Sequence, residues 1–278
     1  MKSDPRFPPF GDAAVAGMHP AGPAIGAAPS RLVWFGRIVL VVLQPVLYLV
    51  IATLSAILLV RVAGDLRLGI NPLLPQAQRP LLPLAEVNAR ALAVDILRQL
   101  GLALMVVAAA RWRDGPAWRV RLGLARPAAA RRGLKRLWLL FFLWPALHIA
   151  WVSGASEALH VPFARGVHLS PYMSRTMLVL WLAYVGLLAP LGEELLLRGA
   201  TFARAGDVMR PAGAIVTTAL LFCVAHVSEL GFARPITLLP LALVLGWLRW
   251  RTGRLWPCIL LHGWSNLALV AYLLWPAH

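Results

Sequence analysis

Residues 38–60 read IVLVVLQPVLYLVIATLSAILLV, 23 consecutive positions without a charge. At about 1.5 Å per residue a helix of this length crosses the roughly 30 Å hydrocarbon core of a bilayer. Working outward, further apolar runs cover 91–110, 137–156, 176–192, 211–228, 235–248 and 255–278. Within them only 91–110 holds charges, Asp95 and Arg98, which are three apart on a helix and able to neutralise each other. The pattern predicts an all-α polytopic membrane helical bundle of about seven (six to eight) transmembrane helices. The second run and the short sixth are the weakest of the seven.

Composition agrees. The 278 residues are 60% hydrophobic and 14% charged, with a mean hydropathy of +0.72. A soluble domain is nearer half apolar and a quarter charged, and the same figures exclude a disordered chain, a coiled coil and a secreted disulfide scaffold. Cys223 and Cys258 both lie inside apolar runs and read as small buried hydrophobes, neither disulfide partners nor nucleophiles. No cleavable signal peptide is expected, because the run from Ile38 is too long and lacks a small-residue cleavage site. Residues 1–31 read as a flexible Pro/Gly/Ala-rich tail.

The 27 Lys and Arg against 11 Asp and Glu leave a net charge of +16. In a soluble domain that balance points to nucleic acid. Here the basic residues fall between apolar runs and beside tryptophan, as at Trp112, Arg113, Trp118 and Arg119, where they meet lipid headgroups. The partner of this charge is the lipid bilayer, and no nucleic acid is expected. Segment 111–136 holds nine Lys or Arg against Asp114 alone. Positive loops stay inside, so seven spans put the N-terminus in the cytoplasm and the C-terminus outside. Trp34, Trp138, Trp247, Trp250 and Trp256 then flank the inner interface. No internal repeat is visible, which disfavours a transporter built from two halves.

Ionisable groups at membrane depth are costly and mark function. Three blocks carry them: Pro190-Leu-Gly-Glu193-Glu194-Leu-Leu-Leu-Arg198, Phe222-Cys-Val-Ala-His226 and His262-Gly-Trp-Ser-Asn266. Glu194 and Arg198 are four apart and share a helix face, so they can pair, while Glu193 is turned by about 100° onto another face. Glu193 is thus the carboxylate left to take a proton from water and return it. His262 and Asn266, also four apart, offer N–H groups to the oxyanion that forms when water attacks a carbonyl. His226 can orient Glu193 or its water. The histidines His19, His148, His160 and His168 show no such companions in the sequence. Depth is less simple: His262 lies about 9 Å into its helix whereas His226 is some 15 residues past Pro211, so either the hairpin between the fourth and fifth runs projects beyond the bilayer or the helices start unevenly.

The three blocks resemble the signature of the CAAX-protease and bacteriocin-processing family, also called Abi or CPBP, whose members are intramembrane peptidases related to the Ras-converting enzyme. Its EExxxR, FxxxH and HxxxN/D motifs fall on Glu193, Glu194 and Arg198, on Phe222 and His226, and on His262 and Asn266, over roughly residues 175–275. The resemblance implies three regions: the tail 1–31, a variable N-terminal transmembrane region 32–170, and a catalytic membrane core 171–278. It further implies that Glu193 activates water for peptide hydrolysis, that His226 assists, that His262 and Asn266 form the oxyanion site, and that Glu194, Arg198 and Phe222 support them. The expected substrate is a membrane-associated peptide or protein. The Ala, Arg, Leu and Pro bias suggests a GC-rich bacterial source and hence the inner membrane, so CAAX specificity is not carried over. No cofactor is expected. A zinc-dependent version would use Glu193, His226 and His262 as ligands, but there is no HExxH and Glu194 would have to become the base. A non-catalytic membrane immunity or scaffold protein is the remaining alternative.

Overall fold

The computed structural model describes residues 30–125, 137–161, 174–227 and 231–274. Most of the tail and the second half of the basic loop 111–136 lie outside the described residues. Each apolar run forms a helix: α1 Arg31–Arg67, α2 Leu84–Asp114, α3 Leu137–Ala158, α4 Arg175–Gly206, α5 Pro211–Val224, α6 Ala233–Thr252 and α7 Trp256–Leu274. The chain is an all-α polytopic bundle. Helices α1, α3, α4, α7 and the extended α2, Leu84–Arg121, are long and apolar enough to cross a membrane. The 14-residue α5 reaches only about 21 Å, and α6 carries Arg234, Arg249 and Arg251.

The packing is that of a protein dissolved in lipid. On α1 the large side chains Leu54, Leu58 and Leu59 face outward, while the small Ala52 and Ala56 are buried against the neighbouring helix. Small residues let helix backbones approach where no hydrophobic effect drives them together. The buried face of α2 falls on Leu92, Gln99, Leu102, Val106 and Ala110, at the three- and four-residue spacing of one helix stripe. Asp95 and Arg98 lie off this stripe and form the expected ion pair, 2.9 Å. Helices α1 and α2 pack as one hairpin and α5 and α6 as another; α6 also touches α3 and α7.

One of the basic residues is not at a headgroup. Arg249 is completely buried. Its Nε donates to the Arg198 carbonyl (2.8 Å) and its Nη2 to the Arg121 carbonyl (2.9 Å). Gly123, with φ +76°, closes the turn after the Trp118–Arg121 helical turn, and a Cβ there would strike the Arg249 guanidinium. The Leu255 amide donates to the Gly123 carbonyl, 2.9 Å. A buried cation on α6 thus ties the end of the α2 segment to α4.

Candidate active site

The site is built around α4. Glu193 and Glu194 end the α-helical stretch Ala189–Glu194, which lies between two wider π-helical turns, Tyr184–Leu188 and Leu195–Thr201. Pro190 accounts for the opening of the first: without an N–H it cannot donate to the carbonyl four or five residues back. Asn266 of α7 takes up one of those carbonyls, its Nδ2 donating to Val185 at 3.0 Å. The other, Gly186, lies against Gly263, where a Cβ would overlap the Gly186 oxygen. A missing donor and a missing side chain together let α7 dock on α4 at the level of the two glutamates.

The adjacent carboxylates meet opposite surroundings. Glu194 is fully buried; its Oε1 accepts from Arg198 Nη1 (2.9 Å) and lies 3.0 Å from His262 Nδ1. Arg198, equally buried, donates its Nη2 to the Ala242 carbonyl at 2.8 Å. The predicted i,i+4 pair therefore exists and holds His262 as well. Glu193 keeps a fifth of its side chain exposed, at 21%. Its Oε1 accepts from Gln99 Nε2 (3.2 Å), and its Oε2 lies 4.0 Å from His226 Nε2 and 3.9 Å from His262 Nε2.

The histidine orientations follow from their partners. His226 Nδ1 is 2.7 Å from the Phe222 carbonyl, which only accepts, so this nitrogen carries the proton and a neutral ring presents the Nε2 lone pair to Glu193. His262 Nδ1 likewise donates to the Glu194 carboxylate. Phe222 sits among them: the His226 ring is 4.5 Å away, the His262 ring meets it edge-on at 5.4 Å, and Arg198 lies over it at 5.0 Å. The aromatic of the FxxxH block is a wedge against which both imidazoles and the guanidinium are packed.

Glu193, His226, His262 and Asn266 all line one cavity of about 550 Å³. The structure thus brings every predicted site residue together, Phe222 also lining the cavity and Glu194 and Arg198 lying beneath. Measured along the helices, Glu193 is about 20 Å from the end of α4 and His226 about 22 Å from the start of α5, so the two legs of the hairpin match. His262, only about 9 Å into α7, is level with them because α7 starts deeper than the α4–α5 turn.

Three contributors lay outside the sequence reading. Gln99 and Arg98 reach the cavity from α2, and Arg98 Nη2 also donates to the Tyr184 hydroxyl at 3.0 Å. His148 proves to have companions: it is stacked on Trp144, and its Nδ1 lies 2.5 Å from Ser265 Oγ, which also accepts from Trp144 Nε1 at 3.2 Å. The signal for Gln99 was a lone amide on the buried stripe of an apolar helix. His148 and Ser265 gave no signal, because they are 117 positions apart. Cys223 and Cys258 are free and buried.

Residues 175–268 match the family model of the type II CAAX prenyl endopeptidase, Rce1-like. This region belongs to the CAAX protease family. The match contains Glu193, Glu194, Arg198, Phe222, His226, His262 and Asn266, and excludes Gln99 and His148. No curated protein and no solved structure matches the chain. The match, over residues 175–268, supports a CAAX-type endopeptidase at the level of the family, and five helices long and apolar enough to cross a membrane support a multi-pass membrane protein. Zinc is the metal to be weighed at such a site. Among the described residues no group of three or more His, Cys, Asp or Glu is arranged to hold a metal ion. Tetrahedral zinc with bonds near 2.0–2.1 Å sets its ligand atoms about 3.3 Å apart, and the Glu193 oxygen is 3.9–4.0 Å from both imidazole nitrogens. Glu194, the base such a site would require, is sealed between Arg198 and His262. As placed, the Glu193 oxygen and each imidazole nitrogen stand wider apart than the ligands of one zinc ion.

Proposed function

We propose that this chain hydrolyses a peptide bond of a membrane-associated peptide or protein by glutamate-activated water, without a metal. The reading is carried by the spacing around Glu193: Oε2 stands about 4 Å from two imidazole Nε2 atoms, a gap that one water bridges with hydrogen bonds of about 2.8 Å. Glu193 takes a proton from that water as its oxygen adds to the scissile carbonyl carbon. His226, fixed by its Nδ1–H bond to Phe222, receives the water's other hydrogen bond at Nε2 and aims the lone pair. The carbonyl oxygen becomes the oxyanion. Asn266 has one amide hydrogen on Val185 and a second to offer it. His262 donates from Nε2 when its ring carries both protons, the Nδ1 proton being held on Glu194. Collapse of the intermediate breaks the C–N bond, and Glu193 returns its proton to the leaving amine.

The cavity supports a membrane-associated substrate, since beyond the polar cluster its walls are apolar, with Val46 and Leu49 of α1, Val152 of α3 and Leu273 of α7. The basic segment 111–136 supports a cytoplasmic N-terminus, and the residue bias a bacterial inner membrane. The deciding experiment uses the full chain purified in detergent against an internally quenched peptide library. Glu193→Gln is expected to lower kcat by at least about 10²–10⁴, as for loss of a general base, and activity is expected to survive exhaustive chelation. Full activity in Glu193→Gln would sink the mechanism and favour a scaffold role. Loss on chelation with rescue by zinc would replace it with the metal-dependent version.

A further inference from the structure

We propose that Gln99 is a positioning residue for Glu193, supplied by a helix outside the segment that matches the CAAX protease family. The inference rests on Glu193 being the base. Gln99 is 1% exposed and sits on the buried stripe of α2, 94 positions from the carboxylate it touches. An ionised carboxylate only accepts, so the amide must present Nε2 to Glu193 Oε1, and its own oxygen is turned toward Gly192. That neighbour is a glycine for a visible reason: a Cβ at residue 192 would fall on the Gln99 side-chain oxygen. The amide is therefore seated in a space that the residue before the base leaves open.

The consequence concerns which oxygen does the chemistry. Glu193 has two carboxylate oxygens and a free χ3 torsion, broad and roughly two-fold for this side chain. With Oε1 tied to Gln99, Oε2 is the one facing His226 and His262. Without the tie the carboxylate turns, and neither oxygen is held at the point where water meets both imidazoles. A positioning role predicts a loss in kcat rather than in KM, because the amide touches the base and not the substrate.

Two variants and two readouts test this in the detergent-purified full chain. Gln99→Met keeps the shape and removes the donor. Gly192→Ala keeps Gln99 but pushes its amide off the carboxylate: the severe clash is with the flexible end of that side chain, and the Gln99 backbone oxygen, 3.2 Å from the new Cβ, must give by a few tenths of an ångström. On a peptide from the library that the wild type cleaves, each is expected to lower kcat about tenfold to a hundredfold, the effect of losing one hydrogen bond to a charged group, with KM within about twofold. The double variant is expected to be no worse than the poorer single one, since both remove the same contact. The second readout needs no activity. The chain has five glutamates, so ¹³C-glutamate labelling with subtraction of the Glu193→Gln spectrum isolates the Glu193 carboxylate stretch in the infrared. That band is expected to move in both variants. An unmoved band overturns the proposal whatever the activity, and so does a moved band with kcat unchanged. If the wild type cleaves nothing in the library, the peptidase reading fails on its own account, and the band alone then decides whether Gln99 holds Glu193.

Discussion

Two neighbouring glutamates meet opposite surroundings, one sealed and one open to the cavity. Glu194 and Arg198 are both completely buried, bound to each other, to His262 and to the Ala242 carbonyl. Breaking a buried pair from one side strands the other charge and costs about 3–5 kcal/mol. Arg198→Met is therefore expected to lower the melting temperature in detergent sharply, whereas Glu193→Gln, which opens to the cavity and strands no buried cation, should leave it nearly unchanged while lowering kcat. The i,i+4 spacing made the Glu194–Arg198 pair readable from the chain. Ser265 was not readable: it lies within the third motif yet holds two groups of α3, Trp144 and His148. Ser265→Ala removes the partner of both and is expected to cost about 1–3 kcal/mol, visible as a lower melting temperature.

Among the helices, α4 is the element whose irregularity makes the site. A regular helix over Arg175–Gly206 would satisfy its own carbonyls; Pro190 and the π-helical turns leave Val185 and Gly186 open toward α7. Gly263→Ala puts a methyl group on the Gly186 oxygen, so α7 must back away and carry His262 and Asn266 with it. Loss of both stability and activity is expected, read by thermal melting and peptide cleavage in parallel. Gly101→Ala, on α2 with open space at its Cβ, is the control: it should be neutral or slightly stabilising, because alanine is the better helix former by about 1 kcal/mol. Hydropathy located all seven helices, but charged ends carry α1 seven residues beyond its uncharged run on each side and α4 fourteen residues beyond its run, to Gly206. It could not locate the π-helical turns, because widening a turn depends on what docks against it.

For the molecule as a whole, the net charge of +16 has two kinds of member. Most of the described basic residues lie within the helix ranges, many of them toward helix ends, as Arg31, Arg67, Arg111, Arg113, Arg119 and Arg121 do. Arg249 instead is buried inside the bundle, joining α6 to the backbone of α4 and to the end of the α2 segment. Topology is tested by reporter fusions. A phosphatase active only outside the cytoplasm should be active at the C-terminus and silent when inserted in 111–136; the reverse result would invert the orientation.

The sequence by itself determined the solvent, the helices and the chemical groups. Lipid selects for long uncharged runs, any charge left within them is conspicuous, and spacings of three and four residues assign faces within a helix. Tertiary structure decided which groups meet. Gln99 on Glu193, Asn266 on Val185 and His148 on Ser265 join residues 94, 81 and 117 positions apart. Such contacts arise from how helices dock, and docking depends on shape at the interface, here an absent N–H at Pro190 and absent side chains at Gly192 and Gly263, which no periodicity within one helix encodes.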